Sequence, residues 1–238
     1  MMQDPKLRIG MLVFPRFTQL DFAAPFEVFS RLPNAAVDIV WKTQEPVRDP
    51  FGLTLLPTSD FAAAGPYDVL FVPGGPGQTD LMLDEEVLGF LRRQAETARW
   101  VTSVCTGSLV LAAAGLLRGY RATSHWLSLD QLALFGAEPV RQRVVIDRNR
   151  VTGAGVTSGI DFALVLASEI AGQQVAETIA LQIEYDPAPP FPPRSTADST
   201  DPLVAELRAK AEGFQAQRLE IARRAAANLM APGAPPRP

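Results

Sequence analysis

Short apolar runs alternate along this chain with longer segments in which apolar residues recur at helical spacing. Such runs are typical of strands that are buried on both faces of a parallel sheet. We predict strands at residues 7–14, 37–43, 68–73, 99–104, 121–124 and 143–152. We predict helices at residues 18–31, 85–98, 107–117, 158–171 and 173–184. The alternation indicates an α/β fold with a mainly parallel sheet covered on both faces.

Two local patterns add detail to this prediction. Residues 52–57 favour a small hairpin inside a stretch that is otherwise rich in loop-forming residues. Ser158 and Asp161 have the S-x-x-D spacing of a capping box, which predicts that their side chains bond to the backbone where the next helix begins.

The end of the chain differs in composition from the rest. Residues 187–202 contain six prolines in 16 positions, which is incompatible with a regular helix. We therefore divide the chain into an α/β domain at 1–191, a Pro-rich linker at 192–202, a C-terminal helix at 203–230 and a frayed tail at 231–238.

The predicted C-terminal helix carries a narrow apolar stripe. Leu207, Phe214 and Ile221 lie seven residues apart, and Ala211 and Ala225 belong to the same stripe. This stripe is suited to packing either on the same chain or on a partner subunit, and the sequence does not distinguish the two.

Composition restricts the classes of protein to which the chain can belong. The 238 residues include 22 Lys or Arg and 26 Asp or Glu, which gives a net charge of −4. This mild acidity argues against nucleic-acid binding, because that function needs a basic face. With one cysteine and one histidine, the chain can form neither an internal disulfide nor a His/Cys metal cluster. We expect a cytoplasmic protein, since the first ten residues are charged early and no apolar run approaches membrane-spanning length.

The single cysteine stands where a predicted strand meets a predicted helix. Cys105, followed by Thr106 and Gly107, predicts a tight turn that lifts the sulfur above the sheet, the geometry of a nucleophile elbow. Because a helix N-terminus favours the thiolate, we expect a lowered thiol pKa and a nucleophilic sulfur. A small buried hydrophobic residue is the alternative interpretation of Cys105, and a helix cap is the alternative interpretation of Thr106.

Further polar or flexible residues follow other predicted strands. Gly74 and Gly75 could hold developing negative charge near Cys105 with their amides, or they could form a plain turn. Asp21 is either a proton donor beside the thiol or a residue that offsets a helix dipole. His125 is a candidate pocket residue, and a structural role fits its position equally well.

Together these segments resemble the ThiJ/PfpI superfamily, whose members have a flavodoxin-like three-layer sandwich related to class I glutamine amidotransferases. The resemblance spans residues 7 to about 191 and depends on the turn at 73–75, the Cys105 elbow and the early acid Asp21. Within the superfamily, the chain resembles the isonitrile hydratase branch in the strings FPRFTQLD, VTSVCTGSLVLAAAGLL, RATSHW, GAGVTSGIDFAL and QIEYDPAPPF.

The resemblance implies a hydro-lyase with a cysteine nucleophile. The Cys105 thiolate would attack the terminal carbon of an isonitrile, R–N≡C, while Asp21 supplies a proton; water would then release the N-substituted formamide. Thr106 would orient the water, the Asp21 carboxyl or the intermediate, and the amides of Gly74 and Gly75 would form part of the polar wall of the active site. The implied mechanism needs no metal or organic cofactor, and the resemblance also implies a homodimer. Net charge and hydropathy, as above, lead us to expect no nucleic-acid or membrane partner. Peptidase-like members carry histidine directly after the cysteine, whereas this chain has Thr106 there, which argues against a Cys–His peptidase.

Other functions are compatible with the same residues. A glyoxalase or deglycase of this superfamily would use the same thiol, but it normally has glutamate where Asp21 stands. Cys105 could instead be a redox sensor, because thiols of low pKa oxidise selectively. A regulatory ligand-binding module without turnover is a third alternative.

Overall fold

The computed structural model of the protein describes residues 7–192, 194–198 and 200–231. The strands within these ranges are β1 (Leu7–Leu12), β2 (Ala35–Trp41), β3 (Val47–Arg48), β4 (Thr54–Leu55), β5 (Ser59–Asp60), β6 (Val69–Val72), β7 (Trp100–Val104), β8 (Arg121–Ala122), β9 (Glu138–Pro139), β10 (Val144–Asp147) and β11 (Arg150–Gly153). The helices are α1 (Gln19–Phe29), α2 (Gln78–Leu81), α3 (Glu85–Ala95), α4 (Gly107–Ala113), α5 (Gly159–Ala171), α6 (Gln173–Gln182) and α7 (Pro202–Met230). Two 3-10 helices span Leu129–Phe135 and Val156–Ser158.

Seven of the described strands form one sheet in the order β10-β11-β7-β6-β1-β2-β5. The neighbours from β11 to β5 are parallel, and β10 is antiparallel to β11. The order reverses between β1 and β6, because the chain first continues outward to β2 and later returns to the other side of β1. Sites in such sheets form at the carboxyl ends of the strands beside the reversal. Here β1, β6 and β7 lead to that edge.

Helices cover the sheet in two groups. Helices α1, α5 and α6 pack in one group, and α2, α3, α4 and α7 pack in the other. All four residues of β6 are buried, and in β7 only Trp100 is partly exposed, as expected for strands between two helical layers. The predicted α/β sandwich with its mainly parallel sheet and C-terminal helix is confirmed.

Local details differ from the predictions where few residues carry the pattern. The hairpin predicted at 52–57 begins earlier in the chain, since β3 pairs with β4. The segment predicted as one strand at 143–152 folds back on itself as β10 and β11. The predicted capping box is wrong: Ser158 makes no side-chain cap bond, and Asp161 bonds to Arg143 and to Tyr185 instead. Tertiary partners therefore override the local capping pattern.

The C-terminal helix packs on its own chain, against α2, α4 and the 3-10 helix Leu129–Phe135. Its predicted stripe is wrong in part, because Leu207 is 52% exposed, while Phe214 and Ile221 are only half-buried. The buried residues of α7 are Val204, Arg218, Ala222, Ala225 and Ala226. Small side chains allow close approach to the domain, and Arg218 is the exception among them.

The remaining described residues add two observations. Between α6 and α7 they form neither helix nor strand. No helix in the described ranges is both long enough and apolar enough to cross a membrane. Of the frayed tail predicted at 231–238, all but residue 231 lies outside the described residues. The division into domain, linker, helix and tail stays a prediction.

Candidate active site

Cys105 occupies a strained turn between β7 and α4. Its φ is 54°, a left-handed conformation that costs a residue with a side chain on the order of 1–3 kcal/mol. The Cys105 amide donates to the carbonyl of Ala154 at 2.7 Å, and the Cys105 carbonyl accepts from Ser108 Oγ and Ser124 Oγ, both at 3.0 Å. These bonds sustain the strained conformation, which is the tight strand-to-helix turn that the sequence predicts.

Gly74 brings the predicted site residues together at one point. A Cβ added to Gly74 would lie 2.7 Å from Asp21 Oδ2, 2.7 Å from the Thr106 amide nitrogen and 2.8 Å from Cys105 Cβ. A larger residue at this position would therefore collide with all three groups. The absence of a side chain lets the turn after β6 approach both the elbow and the first helix.

The Asp21 carboxyl is buried without a conventional partner. Its side chain is fully buried, and neither carboxyl oxygen has a hydrogen-bond partner of good geometry among the described residues. Burial raises its pKa from 3.8 to about 7, and the nearby Cys105 thiol and Gly74 amide oppose this shift only in part. Asp21 can therefore gain or lose a proton near neutral pH.

Thr106 and Gly75 bond to each other. The Gly75 amide donates to Thr106 Oγ1 at 3.2 Å, and Thr106 makes no side-chain cap bond to α4. Gly75 has a φ of 140°, and a Cβ there would lie 2.5 Å from the Thr18 amide nitrogen. In this state the Gly75 amide is occupied by Thr106, and the Gly74 amide faces Asp21. An oxyanion role for either amide requires it to exchange that partner for the substrate.

The thiol pKa is shifted in the direction opposite to the sequence-based prediction. Cys105 is 5% exposed, and burial followed by the charge of Asp21 raises its pKa well above the ordinary value. The Thr106 amide, which belongs to the helix N-terminus, lowers the pKa but does not outweigh burial. The prediction of a lowered pKa is therefore wrong. The helix N-terminus alone therefore does not favour the thiolate in this environment.

His125 lies beside the elbow, without a hydrogen bond to Cys105 in the described part of the chain. Its ring lies over Gly155, where an added Cβ would be 3.3 Å from His125 Cδ2. Burial and the charge of Arg218 lower the His125 pKa to about 4, so the ring is neutral near pH 7. The ring lines a cavity of about 470 Å³ together with Ser124, Trp126 and residues of neighbouring loops.

Sequence reasoning missed three residues around the elbow. Arg218 Nη1 donates to Ser128 Oγ at 2.8 Å, and Arg218 Nε donates to the side-chain oxygen of Gln78 at 2.8 Å when the Gln78 amide is assigned with its oxygen toward the guanidinium. One sequence pattern could have identified Arg218: it is a charged residue on the same helical face as Ala222 and Ala225, which are four and seven residues further on. Gln78 and Ser128 carry no comparable sequence signal.

The site offers a thiol and a carboxyl that can exchange a proton. Among the residues that the structure describes, no group of three or more His, Cys, Asp or Glu side chains could hold a metal ion. A thiol beside a carboxyl of near-neutral pKa supports nucleophilic attack by sulfur, with proton transfer through the carboxyl.

Comparison with known proteins agrees with this geometry. The model of the DJ-1/PfpI family matches residues 7–169. This chain belongs to the DJ-1/PfpI family. The predicted superfamily is thereby confirmed.

Individual DJ-1/PfpI relatives refine the comparison. The protein named isonitrile hydratase from Pseudomonas putida is 51% identical over 223 residues, which cover 94% of this chain and 98% of that protein. The crystal structure of a ThiJ/PfpI family protein from Pseudomonas syringae has a TM-score of 0.87 and 41% identity, with 93% of each chain covered. The transcriptional regulator GbdR of Pseudomonas aeruginosa is 32% identical over 187 residues, which cover 75% of this chain and 50% of the regulator.

Proposed function

We propose that this DJ-1/PfpI protein is an isonitrile hydratase, which converts R–N≡C and water into the formamide R–NH–CHO. The observation that carries the proposal is the buried Asp21 carboxyl beside the Cys105 thiol, with a pKa near neutrality. The 51% identity to a protein named isonitrile hydratase, over nearly the full length of both chains, supports the same reaction.

The first step joins sulfur to the isonitrile carbon. The Asp21 carboxylate accepts the thiol proton as Cys105 attacks the terminal carbon, and the carboxylic acid then returns that proton to the same carbon. The product is a thioimidate, R–N=CH–S–Cys105. The isonitrile group is linear and narrow, so its terminal carbon can approach a sulfur that is only 5% exposed.

The second step releases the product. Water adds its hydroxyl to the thioimidate carbon and its proton to nitrogen, and the C–S bond then breaks to give R–NH–CHO and the thiol. Thr106 Oγ1 lies beside the elbow, and we propose that it orients the attacking water. The amides of Gly74 and Gly75 then form part of the polar wall of the site and stabilise the charge that develops in this step.

We assign the substituent R to the cavity of about 470 Å³ beside His125. Its walls include Ser124 and Ala154, two of the residues that bond to the Cys105 backbone. Trp126 and Leu129 supply apolar surface, which suits an alkyl or aryl group. His125 is then a neutral wall residue and not the base of the reaction.

Assembly and location are part of the same proposal. We expect a homodimer, as the superfamily resemblance implies, and a cytoplasmic location, as the charged N-terminal residues and the lack of a long apolar run indicate. The proposed substrate is a small molecule, and the proposed reaction involves neither a nucleic acid nor a membrane. The raised thiol pKa and low exposure of Cys105 argue against the redox-sensor alternative, because sensor thiols are accessible and ionised.

Product analysis with purified protein tests the proposal. We expect an alkyl isonitrile to gain the mass of one water, and Cys105→Ala and Cys105→Ser to abolish the gain. A parallel incubation with methylglyoxal tests the glyoxalase alternative. Formamide production by Cys105→Ala at the parent rate, or consumption of methylglyoxal alone, would contradict the proposal.

A further inference from the structure

A buried arginine from the C-terminal helix lies near the candidate site without a carboxylate partner. Arg218 is 5% exposed, although burial of an unpaired guanidinium is strongly unfavourable. Across the described ranges, none of the ion pairs involves Arg218. The other buried residues of α7 are aliphatic. A charged side chain in the otherwise aliphatic buried face of α7 indicates that the charge has a functional role.

Neutral groups hold Arg218 in place. Its Nη1 donates to Ser128 Oγ at 2.8 Å, and its Nε donates to the Gln78 side-chain oxygen at 2.8 Å. The guanidinium carbon lies 4.5 Å from the centre of the Phe214 ring. These contacts orient the cation without neutralising it, because a hydroxyl, an amide and an aromatic ring carry no net charge.

Both acceptors belong to segments that also contact Cys105. Gln78 begins α2 directly after the turn containing Gly74, which abuts the Cys105 side chain. Ser128 is four residues after Ser124, whose hydroxyl donates to the Cys105 carbonyl. Two short stretches of chain therefore fix the guanidinium relative to the elbow.

The titratable groups around the sulfur come from two helices and one loop. Asp21 of α1 raises the thiol pKa, and Arg218 of α7 lowers it. The pKa of Asp21 responds to burial, Cys105 and Gly74, and Arg218 is not among its causes. The loop residue His125 is neutral near pH 7, whereas Arg218, with a pKa lowered by burial to about 10, is charged. The guanidinium that Ser128 and Gln78 hold near the elbow is therefore a positive charge that favours the thiolate form of Cys105.

One proton shared by Cys105 and Asp21 has two possible positions. It lies either on sulfur, which leaves a carboxylate, or on the carboxyl, which leaves a thiolate, and the net charge of the pair is the same. We infer that Arg218 is the counter-ion that favours transfer of this proton to Asp21 and thereby increases the thiolate population. That arrangement provides the nucleophile and the proton donor of the proposed reaction together. Arg218 is thus a positioning residue that acts through Cys105.

Thiolate titration tests the role of Arg218. Arg218→Met removes the charge and keeps an unbranched side chain, and Arg223→Met is the matched control, since Arg223 is exposed on the same helix. The chain has one cysteine, so alkylation by iodoacetamide reports Cys105 alone, and the thiolate absorbance is corrected for the three tyrosines by the same titration of Cys105→Ala. In Arg218→Met we expect about tenfold slower alkylation by iodoacetamide near neutral pH and a titration about one pH unit higher. Arg223→Met and the charge-conserving Arg218→Lys should titrate close to the parent. A folded Arg218→Met that titrates with the parent would overturn the inference.

A measurement on the parent protein covers the case in which Arg218→Met does not fold. Iodoacetate is anionic and iodoacetamide is neutral, and the ratio of their alkylation rates is compared with the ratio for a neutral cysteine amide. A cation beside the thiolate, with Asp21 protonated, raises the ratio above this reference. A ratio at or below the reference would contradict the counter-ion role.

The inference rests on the proposed function only for the use of the thiolate. If Arg218→Met loses thiolate but the parent forms no formamide, the counter-ion role holds and the proposed function fails. If the parent hydrates an isonitrile and the thiolate of Arg218→Met titrates at the same pH as in the parent, the proposed function holds and the counter-ion role fails. In an active parent, we expect the pH profile of kcat/KM to move to higher pH in Arg218→Met and to return in Arg218→Lys.

Discussion

Two aspartates occupy the same local position and have opposite surroundings. Asp21 lies in the first turn of α1, and Asp161 lies in the first turn of α5, which packs on α1. Asp161 accepts a bond from the Tyr185 hydroxyl at 2.6 Å and pairs with Arg143. Asp21 is fully buried, has no partner of good geometry in the described chain, and has a pKa raised to about 7.

We propose that this difference separates a structural acid from a reactive one. Helix-dipole compensation applies to both aspartates, so it explains neither environment. The bonds to Asp161 tie α5 to the segment after α6. Asp21 lacks such bonds, and burial raises its pKa to about 7, which is the property that the proposed proton exchange with Cys105 requires.

The largest expected effect is on turnover. Asp21→Asn keeps the shape of the side chain but cannot move a proton, so we expect kcat for isonitrile hydration to fall by about 10²–10⁴-fold. The matched variant Asp161→Asn should retain kcat close to the parent. Steady-state kinetics on both folded proteins check the contrast. Equal turnover by Asp21→Asn and the parent would remove the proton-transfer role.

The next effect is on the pH dependence of stability. Between about pH 4 and pH 7, folded Asp21 holds a proton that the unfolded chain has lost, so its contribution to the free energy of unfolding falls as pH rises. Asp21→Asn lacks this contribution and should gain on the order of 2–4 kcal/mol relative to the parent across that range. Urea denaturation at several pH values measures the difference. Parallel curves for the two proteins would show that the Asp21 pKa is ordinary.

A smaller effect is expected from the glycine that adjoins Asp21. The added methyl of Gly74→Ala would meet Asp21, Thr106 and Cys105 at under 3 Å, so we expect a loss of about 1–3 kcal/mol in stability and reduced turnover. Gly213→Ala is the control, because Gly213 lies in α7 with nothing within 4 Å of its added Cβ. That variant should gain about 0.5–1 kcal/mol from helix propensity. Equal stabilities of the two variants would contradict the close approach at Gly74.

The smallest effect concerns the residue before α5. The Ser158 hydroxyl is buried and has no bonding partner among the described residues. We therefore expect Ser158→Ala to change the free energy of unfolding by less than about 0.5 kcal/mol, whereas loss of a true cap costs about 1 kcal/mol. Thermal or urea denaturation measures this change. A loss of the larger size would restore the capping box.

Much of the fold and part of the site are predictable because they depend on order along the chain. Asp21, Gly74 and Cys105 each follow a strand of the parallel sheet, and parallel strands bring their carboxyl ends to one edge. The sign of the thiol pKa is not predictable in this way, because burial and Asp21 outweigh the local helix terminus. Arg218 is distant in sequence, and its buried position follows from how α7 packs on the domain.

The central claim is that Cys105 forms a covalent bond to the substrate carbon. The most direct test is mass spectrometry of acid-quenched protein after brief mixing with an alkyl isonitrile, followed by peptide mapping. We predict a mass increase equal to one isonitrile on the peptide that contains Cys105, and slower formation of this adduct in Asp21→Asn, which cannot move the thiol proton to carbon. Rapid formamide release without any adduct on that peptide would contradict the claim.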